Sequence, residues 1–340
     1  MRLFHGAARA IPAGLLAASM AVPASAAAPD SSSQASNASL APANAALQAG
    51  EADKALALIQ SLPQPVPAEA HNLACRVRFT LEQWDAAIKE CEQAVRQDGQ
   101  NATYHLWLGR ALGEKASRAS FLSAFSLGKR VRSEFEEAVR LNPRNVEALS
   151  DLGEFYKDAP GVMGGGTDKA EGIAAQLDKL DPARAHELRG RMADASKDYA
   201  TAEREFKQAV AAGAHPAFQW VTLASFYRKR ERWAEMESAI HTIVTSAERD
   251  KHAAVALYDG ASELTRANRD PALAIKMLDE YLASPAKSEE APAFVAYTRL
   301  AQIDAQLGDA AGAQRDRAAA IALAHEYKPA QDPGAQETKH

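Results

Sequence analysis

Apolar residues recur with helical spacing through most of the chain. Between residues 41 and 327 they fall at i, i+3, i+4 and i+7, as in the run from Trp84 to Val95. Alanine is abundant, and most glycines and prolines separate these runs rather than interrupt them. No stretch alternates apolar and polar residues with a period of two. The pattern predicts helices throughout and no β-sheet.

The predicted helices come in pairs, and the pairs repeat. A small or apolar residue recurs in the middle of every second helix, at intervals of 32 to 44 residues. The residue seven positions later lies on the same face, because two helical turns separate the two. The sequence therefore predicts eight closely packed pairs with anchors at Ala55, Ala87, Val131, Ala170, Ala202, Met236, Ala274 and Ala313.

Several pairs carry the residues of one repeat family. Residues 183–214 have Gly190 in the first helix, with Ala202 and Phe206 in the second. A helix-turn-helix unit of about 34 residues with these residues resembles the tetratricopeptide repeat. The resemblance covers residues 41–327. It implies an all-α fold, an α-solenoid of about seven to eight such repeats that forms a right-handed superhelix with a concave groove.

Two segments interrupt the repeat. An insertion near residues 116–125 brings Phe121, Leu122 and Phe125. These residues belong either to an extended helix that packs on a neighbour or to an exposed patch that docks a partner. The Gly-rich loop 159–167 lacks the Gly-Lys-Ser/Thr of a phosphate-binding loop, so the sequence favours a structural turn there.

The first 26 residues have the order of regions typical of a signal peptide. Arg2 and Arg9 precede an apolar run at residues 11–22, and small residues follow at positions 23–26. We expect cleavage there, which predicts a periplasmic or secreted protein. No later apolar stretch reaches the length of a membrane span, so no integral span is expected after cleavage.

Composition limits the function classes. The chain has 340 residues, and its apolar fraction of 47% is typical of a folded protein. The net charge of −5 argues against a nucleic-acid partner. Residues 27–40 and 328–340 are small, polar and without periodicity, so they predict a flexible lead and a disordered tail.

Cys75 and Cys91 fall on the two helices of one repeat. In an oxidising compartment a disulfide between them is one expectation. Two buried free thiols are the other, because one turn of offset strains the bonding geometry.

No residue pattern indicates catalysis, a cofactor or a metal. His186-Glu187 begins the H-E-x-x-H motif of zinc proteases, but Gly190 stands at the position of its second histidine. A G-x-S-x-G motif and a Cys–His pair with carboxylate support are also missing. The sequence therefore predicts a protein that is not an enzyme.

The family resemblance places five charged residues in the concave groove. Arginines there can hold a carboxylate or an acidic peptide with two hydrogen bonds. An ordinary solvated charged face is the alternative. The groove candidates are Arg76, Arg110, Glu154, Arg191 and Arg228.

Two functions are consistent with these features. The first is a non-enzymatic exported tetratricopeptide-repeat protein that binds a protein or peptide through its groove, in envelope assembly or secretion. The second is a structural scaffold, a homo-oligomer that self-associates through the apolar segment 121–127.

Overall fold

The computed structural model describes residues 31–250 and 253–332. Within those ranges it contains α-helices, one 3-10 turn and no strand. The helices are α1 Ser31–Gln48, α2 Ala52–Gln60, α3 Ala68–Thr80, α4 Trp84–Gln97, α5 Ala102–Ser117, α6 Phe121–Leu141, α7 Val146–Asp158, α8 Thr167–Leu177, α9 Pro182–Ala195, α10 Tyr199–Ala212, α11 Ala217–Arg228, α12 Trp233–Arg249, α13 Ala254–Ala267, α14 Pro271–Ala283, α15 Ala293–Gln306, α16 Ala310–Leu323 and α17 Lys328–Gln331.

Consecutive helices pack as pairs, from α1 with α2 to α15 with α16. Each pair also packs on the next. The first helices of neighbouring pairs are in contact, for example α7 with α9 and α11 with α13. This stacking is that of an α-solenoid, because each pair buries its apolar face only against its neighbours. The predicted all-α solenoid is confirmed.

Glycines in the first helices let the two helices of a pair approach closely. A Cβ atom on Gly109 would lie 2.5 Å from Phe135, and one on Gly190 would lie 2.6 Å from Phe206. Both rings are buried. The small residues of the repeat pattern are therefore the ones that make room for aromatic rings of the second helix.

The extra residues of the third pair lengthen both of its helices, the second one most. Helix α5 ends at Ser117 and α6, with 21 residues, begins at Phe121. Phe121 and Leu122 lie exposed in the first turn of α6, whereas Phe125 is partly buried beneath Lys129, whose Nζ is 4.4 Å from the ring centroid. The segment is thus both a helix extension and, at its start, an exposed apolar surface.

The Gly-rich segment 159–167 forms a tight turn between α7 and α8. It contains a 3-10 turn at Gly161–Met163 and buries Met163 against Gly128. Gly164 has a φ of 91°, a conformation that glycine adopts without strain.

Both ends of the helix array differ from the boundaries that the sequence indicated. Helix α1 begins at Ser31, inside the expected flexible lead, and α17 lies inside the expected tail, with Ala330 buried. The polar composition of these segments conceals a few apolar residues, such as Leu40, that bury against distant helices. The predicted signal peptide lies outside the described residues.

The first and last pairs of the array pack against each other. Residues of α1–α3 and α15–α17 share one hydrophobic core. Arg78 of α3 donates a hydrogen bond of 2.6 Å to Glu326 across 248 residues of sequence. The solenoid therefore closes on itself and encloses space between its two ends.

Candidate functional site

A cavity of about 360 Å³ lies where the two ends of the array meet. Aromatic rings from both ends line it, with charged groups between them. We call it the central cavity; its wall includes Phe79, Trp84, Trp107, Glu114, Arg118, Tyr258, Asp259, Glu289, Glu290, Arg299 and Tyr327. A mixed aromatic and charged wall of this kind suits the side chains of a polypeptide.

The loop 284–292, between α14 and α15, crosses the inside of the array. Its Glu289 accepts hydrogen bonds from Arg76 at both carboxylate oxygens, with distances of 2.9 Å from Nε and 2.5 Å from Nη2. Gln48 bonds the same residue twice, as donor to its carboxylate and as acceptor from its backbone N–H. The loop is held by residues more than two hundred positions away in sequence.

Glu290 follows in the same loop and is largely withdrawn from water. Burial, with the charge of Glu147 nearby, raises the pKa of Glu290 to about 9, although Arg110 acts in the opposite direction. The carboxyl group is therefore protonated at neutral pH.

Arg110 does not lie at the groove surface as the sequence suggested. Its side chain is 1% exposed, and its Nε donates a 2.6 Å hydrogen bond to Asp151, which is also buried. Nη2 bonds Glu147 at 3.1 Å, and the guanidinium stacks over Trp107 at 4.8 Å. Arg110 thus joins α5 to α7 and is not available to a partner.

Three of the other groove candidates, Glu154, Arg191 and Arg228, form ion pairs between neighbouring first helices. Arg191 of α9 contacts Glu154 of α7 at 3.2 Å, and Arg228 of α11 contacts the buried Glu263 of α13 at 2.6 Å. Burial alone would raise the pKa of Glu154, but the charges of Arg191 and Lys157 outweigh it and hold that pKa below its usual value. These charges connect repeats to one another.

Cys75 of α3 and Cys91 of α4 form a disulfide bond, with Cα atoms 5.2 Å apart. Both side chains are fully buried. The bond ties together the two helices of the pair that carries Arg76.

Three histidines at the same place in their first helices pair with a glutamate of the second helix. The pairs are His71–Glu90 at 2.7 Å, His105–Glu134 at 2.6 Å and His186–Glu205 at 2.8 Å. No group of three or more potential metal ligands occurs in the part of the chain that the structure describes.

Comparison with known proteins finds a curated protein that is similar to part of this chain. No protein-family model matches the chain. Superkiller complex protein 3 of Mus musculus is 28% identical over 142 residues, which are 40% of this chain and 8% of that protein. The match therefore spans a small part of the relative's length.

Solved structures of tetratricopeptide-repeat (TPR) proteins are also similar. One is a thermophilic TPR protein from Thermus thermophilus, with 20% identity, a TM-score of 0.42, and coverage of 58% of this chain and 99% of that one. Another is the C-terminal part of a TPR repeat-containing protein from Cytophaga hutchinsonii, with 12% identity, a TM-score of 0.41, and coverage of 72% and 95%.

A second pocket opens on the helix array beside Arg76. Its volume is about 560 Å³, and it lies among α1, α3 and the start of α5. Arg76 is thus a groove candidate that borders a pocket. The wall also includes Leu40, Asn44, Glu69, Asn72, Asn101 and Tyr104; we call it the α1–α3 pocket.

Sequence reasoning missed Gln48, Asn72 and Glu289. Gln48 and Glu289 are distant in sequence, so no local pattern links them. Asn72 stands one turn before Arg76 on the same face of α3, and this spacing was the one signal that could have pointed to it.

Proposed function

We propose that this protein is an exported, non-enzymatic adaptor of the cell envelope that binds a protein or peptide through the inner face of its TPR array. The observation that carries the proposal is the central cavity, whose aromatic and charged wall comes from both ends of the solenoid. TPR-like solenoids are extended binding surfaces, and this one offers enclosed space on its inner side.

Two further features support the proposal. The first 26 residues have the pattern of a cleaved signal peptide, which indicates the periplasm or the exterior. In the described ranges, none of the helices is sufficiently long and apolar to cross a bilayer.

Site-specific photo-crosslinking in the native cell tests this function. A photoreactive residue replaces Thr80, in the wall of the central cavity, and in a matched control it replaces the exposed Glu248 on α12. We expect the Thr80 position to give a reproducible adduct with an envelope protein that the Glu248 position does not give. Identical adducts at both positions, or none at Thr80, would count against an inner-face adaptor.

A scaffold that self-associates through residues 121–127 is the second candidate. Phe121 is 64% exposed and Leu122 is 81% exposed, side by side at the start of α6. Large apolar side chains with this exposure often mark contact surfaces.

Light scattering distinguishes the two candidates. We expect a scaffold to be oligomeric as wild type and to become monomeric as Phe121→Asp/Leu122→Asp. A wild-type protein that is already monomeric at high micromolar concentration contradicts the scaffold.

A further inference from the structure

The hairpin of α5 and α6 projects beyond the other helix pairs that share its histidine–glutamate contact. Measured from that contact, α5 continues for 12 residues after His105, whereas α3 continues for nine after His71. Helix α6 begins 13 residues before Glu134, whereas α4 begins six before Glu90. The α9–α10 pair has the same nine and six residues as α3–α4. At a rise of about 1.5 Å per residue, the third hairpin therefore extends about 5 Å further along α5 and about 10 Å further along α6.

The first turn of α6 carries two adjacent apolar side chains at this projecting end. Phe121 is 64% exposed and Leu122 is 81% exposed, and Phe125, one turn later, is partly buried. These three residues share one side of the helix, because they are spaced by three and four positions; we call them the α6 tip. The described residues expose three further large apolar side chains, each separate in sequence: Val162, Tyr199 and Leu307. The α6 tip is therefore a concentrated apolar surface of the kind that marks a contact site.

The segment around the α6 tip is basic. Residues 115–133 contain five lysines and arginines and no acidic residue, although the whole chain has a net charge of −5. The ammonium group of Lys129 lies 4.4 Å from the ring centroid of Phe125 and has no carboxylate partner in the described part of the chain. The four others pair with carboxylates from outside the segment: Lys115, Arg118, Arg130 and Arg132. Those pairs are partly exposed to water and contribute little, so another anion can replace the carboxylates.

This arrangement suits an anionic lipid surface better than a second copy of the chain. A symmetric contact between two α6 tips would bring two basic segments together, and their like charges would oppose it. Phospholipid phosphates supply the opposite charge, and the boundary of the acyl chains accepts Phe121 and Leu122. A helix of this kind lies about 5–10 Å deep in a bilayer interface, which is about the distance by which the third hairpin projects.

We propose that the α6 tip docks the protein on an anionic phospholipid surface, with Phe121 and Leu122 in the interface and Lys129 beside the phosphates. The contact is peripheral, since it uses the first turns of one helix at the end of a hairpin. Arg118, three residues before the α6 tip, also lines the central cavity, so the docked protein holds that cavity close to the membrane. This inference goes beyond the proposed adaptor function, and its test is separate.

Vesicle sedimentation with the mature chain, residues 27–340, tests the proposal. That chain lacks the apolar run of residues 11–22, which therefore does not contribute to binding. Vesicles of phosphatidylcholine alone are compared with vesicles in which about one third of the lipid is phosphatidylglycerol. We expect wild type to bind the anionic vesicles at least about tenfold more tightly, and about 0.5 M salt should reduce that difference. Equal binding to both kinds of vesicle, or none to either, would overturn the proposal.

Matched substitutions locate the contact. Leu122→Asp should weaken binding to the anionic vesicles at least about tenfold, because it removes an inserted apolar side chain and adds a charge that phosphates repel. Leu307→Asp makes the same change just after α15, at another exposed leucine, and should bind as wild type does. Lys129→Gln should weaken binding about fivefold. Equal losses for the two leucine variants would mean that the α6 tip is not the contact.

The depth of insertion gives a readout that does not rely on affinity. Lipids with acyl chains brominated near the headgroup quench the fluorescence of tryptophans that enter the bilayer. We expect Leu122→Trp to show quenching beyond that of the native tryptophans, and Leu307→Trp to show none. A Leu122→Trp variant that sediments with vesicles but gains no quenching would overturn the proposal.

Self-association through the same residues is the competing outcome. A wild type that does not bind anionic vesicles, forms oligomers and becomes monomeric as Leu122→Asp would reject the membrane contact and favour the scaffold. Circular dichroism of Leu122→Asp should equal that of wild type, because the side chain is 81% exposed. If that variant does not fold, bromine quenching of Leu122→Trp decides. A crosslinked partner at Thr80 without vesicle binding would reject this inference and keep the adaptor.

Discussion

At the residue scale, the same residue type has opposite consequences at neighbouring positions. Gly109 and Gly113 both lie inside α5, one turn apart. A Cβ atom on Gly109 would meet the buried ring of Phe135, whereas one on Gly113 would meet nothing within 4 Å. The sequence marks Gly109 as a repeat position, but only packing shows that Gly113 is free of that constraint.

We expect Gly109→Ala to lower the free energy of unfolding by about 1–3 kcal/mol, because overpacking against Phe135 outweighs the gain in helix propensity. Gly113→Ala is the matched control and should raise it by about 0.5–1 kcal/mol. Urea unfolding followed by circular dichroism measures both. Equal shifts for the two variants would contradict close packing at Gly109.

Arg110 gives a second prediction at this scale. Arg110→Met should destabilise the fold by about 3–5 kcal/mol, because it leaves the carboxylate of Asp151 buried without its partner. The double variant Arg110→Met/Asp151→Leu removes both charges and should recover most of the loss. Urea unfolding of the single and double variants measures this, and a neutral single variant would show that the pair is not buried.

At the scale of helices, the paired histidines record the register of the repeats. His71 and Glu90 are 19 residues apart, as are His186 and Glu205, whereas His105 and Glu134 are 29 apart. The ten additional residues lengthen both helices, since α5 has 16 residues and α6 has 21 whereas α3 has 13 and α4 has 14, so the same contact is kept by a longer pair. The insertion therefore changes the lengths of the two helices and leaves their pairing intact.

The disulfide between α3 and α4 should contribute measurably to the stability of the fold. Cys75→Ala/Cys91→Ala should lower the free energy of unfolding by about 3 kcal/mol, because the bond closes a loop of 16 residues in the unfolded chain. Thermal or urea unfolding with and without reductant measures the effect. The stability of the variant should not change when reductant is added. If reductant leaves the stability of the wild type unchanged as well, the bond does not contribute to it.

At the scale of the whole molecule, closure of the array decides where the binding surface lies. Arg76 and Glu289 are 213 residues apart in sequence and share a bidentate ion pair. Closure also brings Glu290 beside Glu147 of α7, Asp259 of α13 and Arg110 of α5. A groove that would be open in a longer superhelix becomes an enclosed cavity with an internal acidic loop.

Glu290 makes the stability of the closed molecule depend on pH. Its pKa is raised to about 9 by burial and by neighbouring charge, of which Glu147, Glu289 and Asp259 raise it and Arg110 lowers it. Below the ordinary glutamate pKa, Glu290 is protonated in both the folded and the unfolded protein, and the free energy of unfolding keeps its full value. As pH rises toward 9 the free energy of unfolding falls, by up to about 1.4 kcal/mol per pH unit.

Urea midpoints at pH 6, 7, 8 and 9 measure this slope. Glu290→Gln stays neutral at every pH, so we expect it to flatten the decline that wild type shows. A wild type and a variant with parallel pH profiles would mean that Glu290 titrates as an ordinary exposed glutamate.

The sequence by itself determined the local and repetitive part of this protein. Helical spacing of apolar residues, small residues such as Gly190, and glycines and prolines between the runs are local signals, and they were sufficient to predict a solenoid of helix pairs. Tertiary structure decided the rest. Whether Arg110 faces a groove or a buried carboxylate, and whether the ends meet through Arg78 and Glu326, depends on the summed geometry of many small repeat-to-repeat rotations. No single stretch of sequence encodes that sum, so the closed cavity and its acidic loop emerge only when the whole chain has folded.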